Sequence, residues 1–254
     1  MQPLQGKRIL VTRGQSQARS FIERIEAEGG VVYHTPLLSF QLNDSESHQE
    51  VLKRLHDYSW VFITSANGVK FFFELLKKYK VEIPLSLQFA IIGSKTEKRL
   101  NDFGFQADFI PSKYHASSMG KEFFAKEPQP GPILYIRGNR SRDALPRMFD
   151  DKGVFFHSMT VYDTLLVEEK KSELLVWLQE RKIDALTFTS PSTVRAFVSM
   201  VQDQGVEIPC FCIGPTTAKE AAKRGFTNVH VPEQYTIPHL LKQLTYYFSN
   251  EGKR

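Results

Sequence analysis

At 254 residues the chain suits two domains of ordinary size, and 41% hydrophobic with 24% charged residues is the composition of a soluble globular protein. No apolar run approaches the roughly 20 residues that span a bilayer, so no membrane segment is expected. The formal charge of +5 is dispersed except at "RGNRSRDALPR" (137–147), and no basic cluster interleaves with aromatics. That pattern sets nucleic acid aside and favours a small polyanion as partner.

The opening "MQPLQGKRILVTRG" passes from polar residues straight into a strand at 8–12. It lacks the basic start, apolar stretch and cleavage site of a signal peptide, so a cytoplasmic location is expected. The helical "QSQARSFIERIEAEGG" follows and ends at a glycine pair suited to a C-terminal cap. Next come a strand at 31–35, an extended stretch "LLSFQLN" (37–43), and a strand at 60–64. A helix over 67–80 carries "FFFELL" as its core stripe, and strands at 89–92 and 107–110 flank a helix over 95–103. The chain then repeats the theme: a strand at 133–137, a helix over 142–151, a strand at 154–158 and an extended "VYDTLLVE" (161–168). Strands at 185–189, 210–213 and 228–231 alternate with helices over 192–203 and 216–224. Short, nearly continuous apolar strands alternating with helices indicate parallel sheets covered on both faces, an α/β doubly wound class.

Cys210 and Cys212 lie two apart on a strand and face the same way, which reads as a pair of buried, reduced thiols. None of the seven histidines is placed to complete a metal site with them, so no metal is expected.

An internal repeat runs through the chain. "ILVTRG" (9–14) matches "ILYIRG" (133–138), "GVVYH" (30–34) matches "GVFFH" (153–157), and "TSANGV" (64–69) matches "TSPSTV" (189–194). "IIGSKT" (91–96) matches "CIGPTT" (212–217), and "IPSKY" (110–114) matches "VPEQY" (231–235). All five pairs keep the same order at offsets of 121–125 residues, so the chain holds two structural copies with small loop insertions.

In an open parallel sheet, ligands bind outside the carboxyl ends of the strands. The repeated residues fall there: Thr12, Arg13 and Gly14; Thr64 and Ser65; Gly93 with Thr96; Arg137 and Gly138; Thr189 and Ser190; Gly214 with Thr217. Glycines and small hydroxyls leave backbone N–H groups open to carboxylates or phosphates. Each hydroxyl residue also suits a plain helix cap. "RGNRSR" suits either an anion grip or a solvated helix start. There is no G-x-G-x-x-G after a strand, no Walker A sequence and no Ser-His-Asp or Cys-His spacing.

These residues resemble one family along essentially the whole chain, the uroporphyrinogen-III synthases. The resemblance rests on "ILVTRG", "TSANGV", "FAIIGSKT", "ILYIRG" before a basic helix, "VYDT" (161–164), "TSPSTVRAF" and "CIGPTTAKEA". "TRG" stands where the family usually has Thr-Arg-Pro. The resemblance implies two flavodoxin-like parallel-sheet domains joined by a two-stranded linker. Residues 1–36 and 168–254 would form a discontinuous first domain, 43–160 an inserted second domain, and 37–43 with 161–167 the linker strands. It further implies cyclisation of the linear hydroxymethylbilane to uroporphyrinogen III, with loss of water and inversion of the terminal pyrrole ring through a spiro intermediate. No metal or organic cofactor is implied, and a monomer is expected. Tyr162 matches the cleft tyrosine able to donate a proton to the leaving hydroxyl, although it also suits an amphipathic cover for the joint. Thr96, Thr217, Ser65 and Ser190 match cleft-lining positions, and Arg13, Arg137 and Arg140 are candidates for the substrate's carboxylates. The alternative is a non-catalytic, two-lobed small-molecule-binding or regulatory protein of the same fold.

Overall fold

The computed structural model describes residues 2–202 and 204–251. Position 1, position 203 at the expected end of a helix, and positions 252–254 of the expected first domain lie outside the described residues. The chain runs β1 (Arg8–Val11), α1 (Gln15–Ala27), β2 (Val31–His34), β3 (Leu38–Leu42), α2 (Glu46–Lys53), β4 (Trp60–Ile63) and α3 (Ala66–Tyr79). It continues through β5 (Gln88–Ile91), α4 (Ser94–Asp102), α5 (Ala116–Lys126), β6 (Ile133–Gly138), α6 (Ala144–Asp151) and β7 (Phe156–Leu166). The last stretch is α7 (Lys171–Gln179), β8 (Ala185–Phe188), α8 (Pro191–Val201), β9 (Cys210–Cys212), α9 (Pro215–Lys223), β10 (Val229–His230) and α10 (Ile237–Glu251).

The chain divides into two compact units, Met1–Ser39 with Leu165–Arg254, and Phe40–Thr164. The first contains the sheet β10-β9-β8-β1-β2, parallel throughout. Its order is that of a flavodoxin-like sheet. Alternation along the strands sends Leu10, Leu186, Phe188, Cys210 and Cys212 to one face, and Ile9, Val11, Ala185 and Phe211 to the other. Helices cover both faces, and most of the strand residues are apolar. The hydroxyls of Thr12, just past β1, and of Thr187 in β8 donate to the carbonyls of Thr187 (2.8 Å) and Leu10 (2.9 Å) and so tie β1 to β8.

The second sheet has the order β3-β7-β6-β4-β5, with β5, β4, β6 and β7 mutually parallel. Val61, Ile63, Phe89, Ile91, Leu134 and Ile136 fill one face, and Trp60, Phe62, Ala90, Ile133 and Tyr135 the other. Phe123 is fully buried on that second face, with edge-on contacts to Trp60, Phe62 and Phe109.

Helices α2, α5, α7 and α10 have no counterpart in the sequence reading, and two strand assignments differ. The strand expected at 107–110 is reduced to a single parallel bridge between Ala90 and Phe109. Asp108 spends its carboxylate on the amide of Phe89 (2.8 Å), and Pro111, lacking an N–H, ends the pairing. The fifth place in the sheet is taken by β3 instead. The strands expected at 154–158 and 161–168 are one continuous β7, which stays paired with β6 as far as Tyr162 across a one-residue register shift.

Each sheet has a point where the strand order reverses: β1 sits between β2 and β8, and β4 between β5 and β6. The carboxyl ends of those strands are where such folds bind ligands. Among the described residues, no helix is long and apolar enough to cross a membrane.

Candidate active site

In the second unit the reversal point brings together the ends of β4 and β6. Ser65, just past β4, caps α3: its hydroxyl accepts from the amide of Gly68 at 3.0 Å. The same Oγ lies 3.2 Å from the phenolic oxygen of Tyr162, contributed by β7. Tyr162 is 8% exposed. Its ring stacks on Phe71 of α3 (centroids 5.6 Å apart, planes at 23°), and Phe40 meets it edge-on at 6.0 Å.

The reason the ring reaches Ser65 lies in β6. The register between β6 and β7 shifts after Arg137, so that Gly138 stands opposite Tyr162. With no side chain at Gly138 the phenol lies directly over its backbone; a Cβ there would stand 2.6 Å from Cε2 and 2.8 Å from Oη. Asn139 then holds the tyrosine's strand from both sides. Its amide donates to the Tyr162 carbonyl (3.1 Å), and its side-chain oxygen accepts from the amide of Thr164 (3.0 Å). Sequence reasoning missed both roles. The register shift could not be read locally, although the "RG" shared by the two copies marked the corner.

Next to β4, the end of β5 leads through Gly93 into α4, where Thr96 is buried in the first turn and its amide donates to the Gly93 carbonyl at 3.0 Å. The first unit repeats this corner: Gly214 precedes α9, and the amide of buried Thr217 donates to the Gly214 carbonyl at 3.1 Å. Ser190 caps α8 as Ser65 caps α3, accepting from the amide of Thr193 at 3.3 Å. The corners thus fall into two kinds. Ser65 and Ser190 are helix caps, whereas α1, α4 and α9 begin at Gly14, Gly93 and Gly214 with no side-chain cap. Uncapped first turns leave backbone N–H donors for an anion.

The three arginines are placed differently. Arg13, at the end of β1, reaches Gln17 Oε1 at 3.1 and 3.2 Å, its carbonyl accepts from His34 Nε2, and burial lowers its pKa from the ordinary value. Arg137 is 16% exposed and already engaged, with Nη1 on Asp143 (2.9 Å), Nη2 on the Ser141 carbonyl (2.6 Å), and its guanidinium over the Tyr135 ring. Burial also pushes the Tyr135 phenol up, so it stays protonated at neutral pH. Arg140 is exposed on the turn after β6.

The comparison with known proteins adds a family. Residues 19–242 match the family described as uroporphyrinogen-III synthase HemD. The chain belongs to the uroporphyrinogen-III synthase family. It is 28% identical over 257 residues to the uroporphyrinogen-III synthase of Synechococcus elongatus, covering 94% of this chain and 95% of that protein. It is 27% identical to the putative uroporphyrinogen-III synthase of Methanothermobacter thermautotrophicus, covering 92% and 96% respectively. Against the porphyrin biosynthesis protein HemD of Ruminiclostridium josui it is 25% identical and spans 49% of that protein's length. Among solved structures, a mutant uroporphyrinogen III synthase from the extremely thermophilic bacterium Thermus thermophilus superposes with a TM-score of 0.73 at 16% identity, covering 96% of this chain and all of that one. The Helicobacter pylori uroporphyrinogen-III synthetase gives a TM-score of 0.64 at 19% identity, covering 95% and 99%. Those two establish the two-domain α/β fold of a uroporphyrinogen-III synthase. The matches support the enzyme reading over the non-catalytic binding module.

Proposed function

We propose that this uroporphyrinogen-III synthase closes the linear hydroxymethylbilane using Tyr162 as the proton donor to the departing hydroxyl. The family carries the activity; the placement of Tyr162 carries the mechanism. Its O–H sits at the carboxyl end of the sheet, against Ser65, on a ring clamped by Phe71 and by the bare backbone of Gly138.

The electron-rich pyrrole supplies the push that expels the hydroxyl. A phenol can donate one proton and accept another, so Tyr162 can protonate the leaving oxygen, releasing water, while Ser65 holds the phenolic oxygen in line. What remains is positioning, which can supply a large part of a rate enhancement with no nucleophile and no cofactor. The glycine-led starts of α1, α4 and α9 are the proposed docking points for substrate carboxylates, with Thr96, Thr217 and Ser190 lining them. Arg13 is the better-placed arginine for a carboxylate. Arg137 instead organises the turn that carries Gly138 and Asn139, and Arg140 is exposed and free to swing.

The inserted arrangement expected from sequence, with residues 43–160 as one domain between linker strands at 37–43 and 161–167, is part of this reading. So is work as a cytoplasmic monomer on a polycarboxylate tetrapyrrole, without nucleic acid. The test is direct. Purified protein is given hydroxymethylbilane, and the oxidised products are separated by chromatography. Formation of isomer III above the spontaneous isomer I supports the reading, and isomer I alone defeats it.

A further inference from the structure

The stretch "RGNRSRD" (137–143), which on sequence suits an anion grip or a helix start, folds into a tight turn beside β7. The Ser141 amide donates to the Gly138 carbonyl at 3.0 Å, and the Ser141 hydroxyl accepts from the Gly138 amide at 3.1 Å. Arg137 closes the turn by reaching Asp143 and the Ser141 carbonyl. What the turn presents to β7 is Asn139.

The ladder between β6 and β7 ends at Tyr162. The amide of buried Thr164, two residues on, is taken by a side chain: Asn139 Oδ1 accepts from it at 3.0 Å, in the manner of a strand carbonyl. The Asn139 amide meanwhile donates to the Tyr162 carbonyl at 3.1 Å. On the other side of β7 stands β3, and Asn43 follows directly after it. The Asn43 amide donates to the Val161 carbonyl at 3.0 Å, and its Nδ2 donates to Asp163 Oδ2 at 2.8 Å. Two asparagines, one beside each edge of β7, thus bracket residues 161–164. All of these groups lie within the compact unit Phe40–Thr164. Asparagine suits the task because its side chain carries both an acceptor and a donor.

We propose that Asn43 and Asn139 are positioning residues for the Tyr162 phenol in the synthase reaction. This rests on the proton-donor role of Tyr162 given above. Phe71 and the bare backbone of Gly138 act on the ring, whereas the asparagines act on the backbone that carries it. A strand end past its ladder frays unless its polar groups are held. The 3.2 Å contact between the Tyr162 hydroxyl and Ser65 needs that strand end fixed. Displacing a reacting group by about 1 Å can cost about 10²-fold in rate.

The experiment measures kcat and KM on hydroxymethylbilane, with melting curves, for Asn139→Ala, Asn139→Asp, Asn43→Asp and the double variant Asn43→Asp/Asp163→Asn. Each is made in the wild type and again on a Tyr162→Phe background. Asn139→Ala removes the acceptor for Thr164, and Asn43→Asp sets two carboxylates together. A backbone bond survives in each, so kcat should fall about ten-fold, with KM within about two-fold of wild type. Asn139→Asp keeps an acceptor, and the double variant restores the donor–acceptor pair in reverse. Both should therefore recover most of the lost kcat. On the Tyr162→Phe background all four should leave kcat within about two-fold, because the hydroxyl they position is gone. An equal fall in both backgrounds, no fall in the first, or no recovery in the two rescue variants overturns the inference and leaves the synthase reading intact. A wild-type protein that forms no isomer III overturns the synthase reading, and this inference with it. The two brackets are separate, so a variant lost to misfolding at one leaves the other to decide.

Discussion

Gly138 lies under the phenol of Tyr162 so closely that a methyl group there would stand 2.8 Å from the phenolic oxygen. The two residues face each other only because β6 and β7 shift register at Arg137. Gly138→Ala must therefore push the ring off Ser65 or distort β6. Overpacking of this kind costs about 1–3 kcal/mol. Turnover should fall at least as far as it does on removing the tyrosine's hydroxyl, with a lowered melting temperature. Normal turnover would show that the ring has room to move.

Tyr162→Phe keeps the ring, and with it the contacts to Phe71 and Phe40. It removes one hydrogen bond to a half-buried serine, about 1 kcal/mol at most. General-acid assistance typically contributes about 10²–10⁴-fold, and the bilane ionises readily by itself, so a loss near about 10²-fold is expected. KM should hold, and products should drift from isomer III towards isomer I. A variant with wild-type rate and isomer ratio would remove Tyr162 from the mechanism.

Ser65 and Ser190 make a matched pair of caps, but only Ser65 also touches a phenol. Ser→Ala at either position should cost about 1 kcal/mol of stability by denaturant melting. Only Ser65→Ala should also slow turnover. Equal turnover in both variants would mean that Ser65 caps its helix and nothing more.

Asp184 accepts from the amide and the guanidinium of Arg8 at 2.8–3.0 Å, tying β1 to the start of β8. Hydrogen bonding to Arg8 holds the Asp184 carboxyl below its ordinary value of 3.8, against a smaller upward push from burial. A depressed carboxyl stabilises the fold above its unfolded pKa, and that contribution is lost as the pH falls through the folded value. With Arg8 partly exposed, solvent screening leaves about 1–2 kcal/mol. Asp184→Asn should lower stability by that amount at pH 7, and its stability should depend less on pH below about pH 4 than that of wild type. Parallel acid profiles for the two proteins would rule out this role.

Cys210 and Cys212 are fully buried side by side in β9. Hydrogen bonding from Cys210, then burial, pushes the Cys212 thiol far up, so it is not a thiolate at neutral pH. A thiol reagent should leave both groups untouched in the native protein and titrate them in denaturant. Rapid labelling of the native protein would show that β9 opens.

The strand–helix alternation and the duplicated corners were legible in the sequence, because the signals are local. Apolar runs such as "RILV" and "WVFI" mark strands buried on both faces, and Thr-Ser or Gly-x-x-Thr after them marks a helix start. The repeat made these signals visible twice. What stands opposite what was decided by the tertiary structure. Residues 107–110 look as strand-like as the rest, yet Asp108 and Pro111 leave them a single bridge. Arg137 reads as a candidate for a carboxylate, and only the folded chain shows its guanidinium on Asp143 and the Ser141 carbonyl. Tyr162 and Ser65 are 97 residues apart, and their meeting depends on strand order, on a one-residue register shift and on the missing side chain of Gly138. Periodicity and capping act between near neighbours along the chain. Register and ring packing are long-range pairings, fixed only when the whole sheet forms.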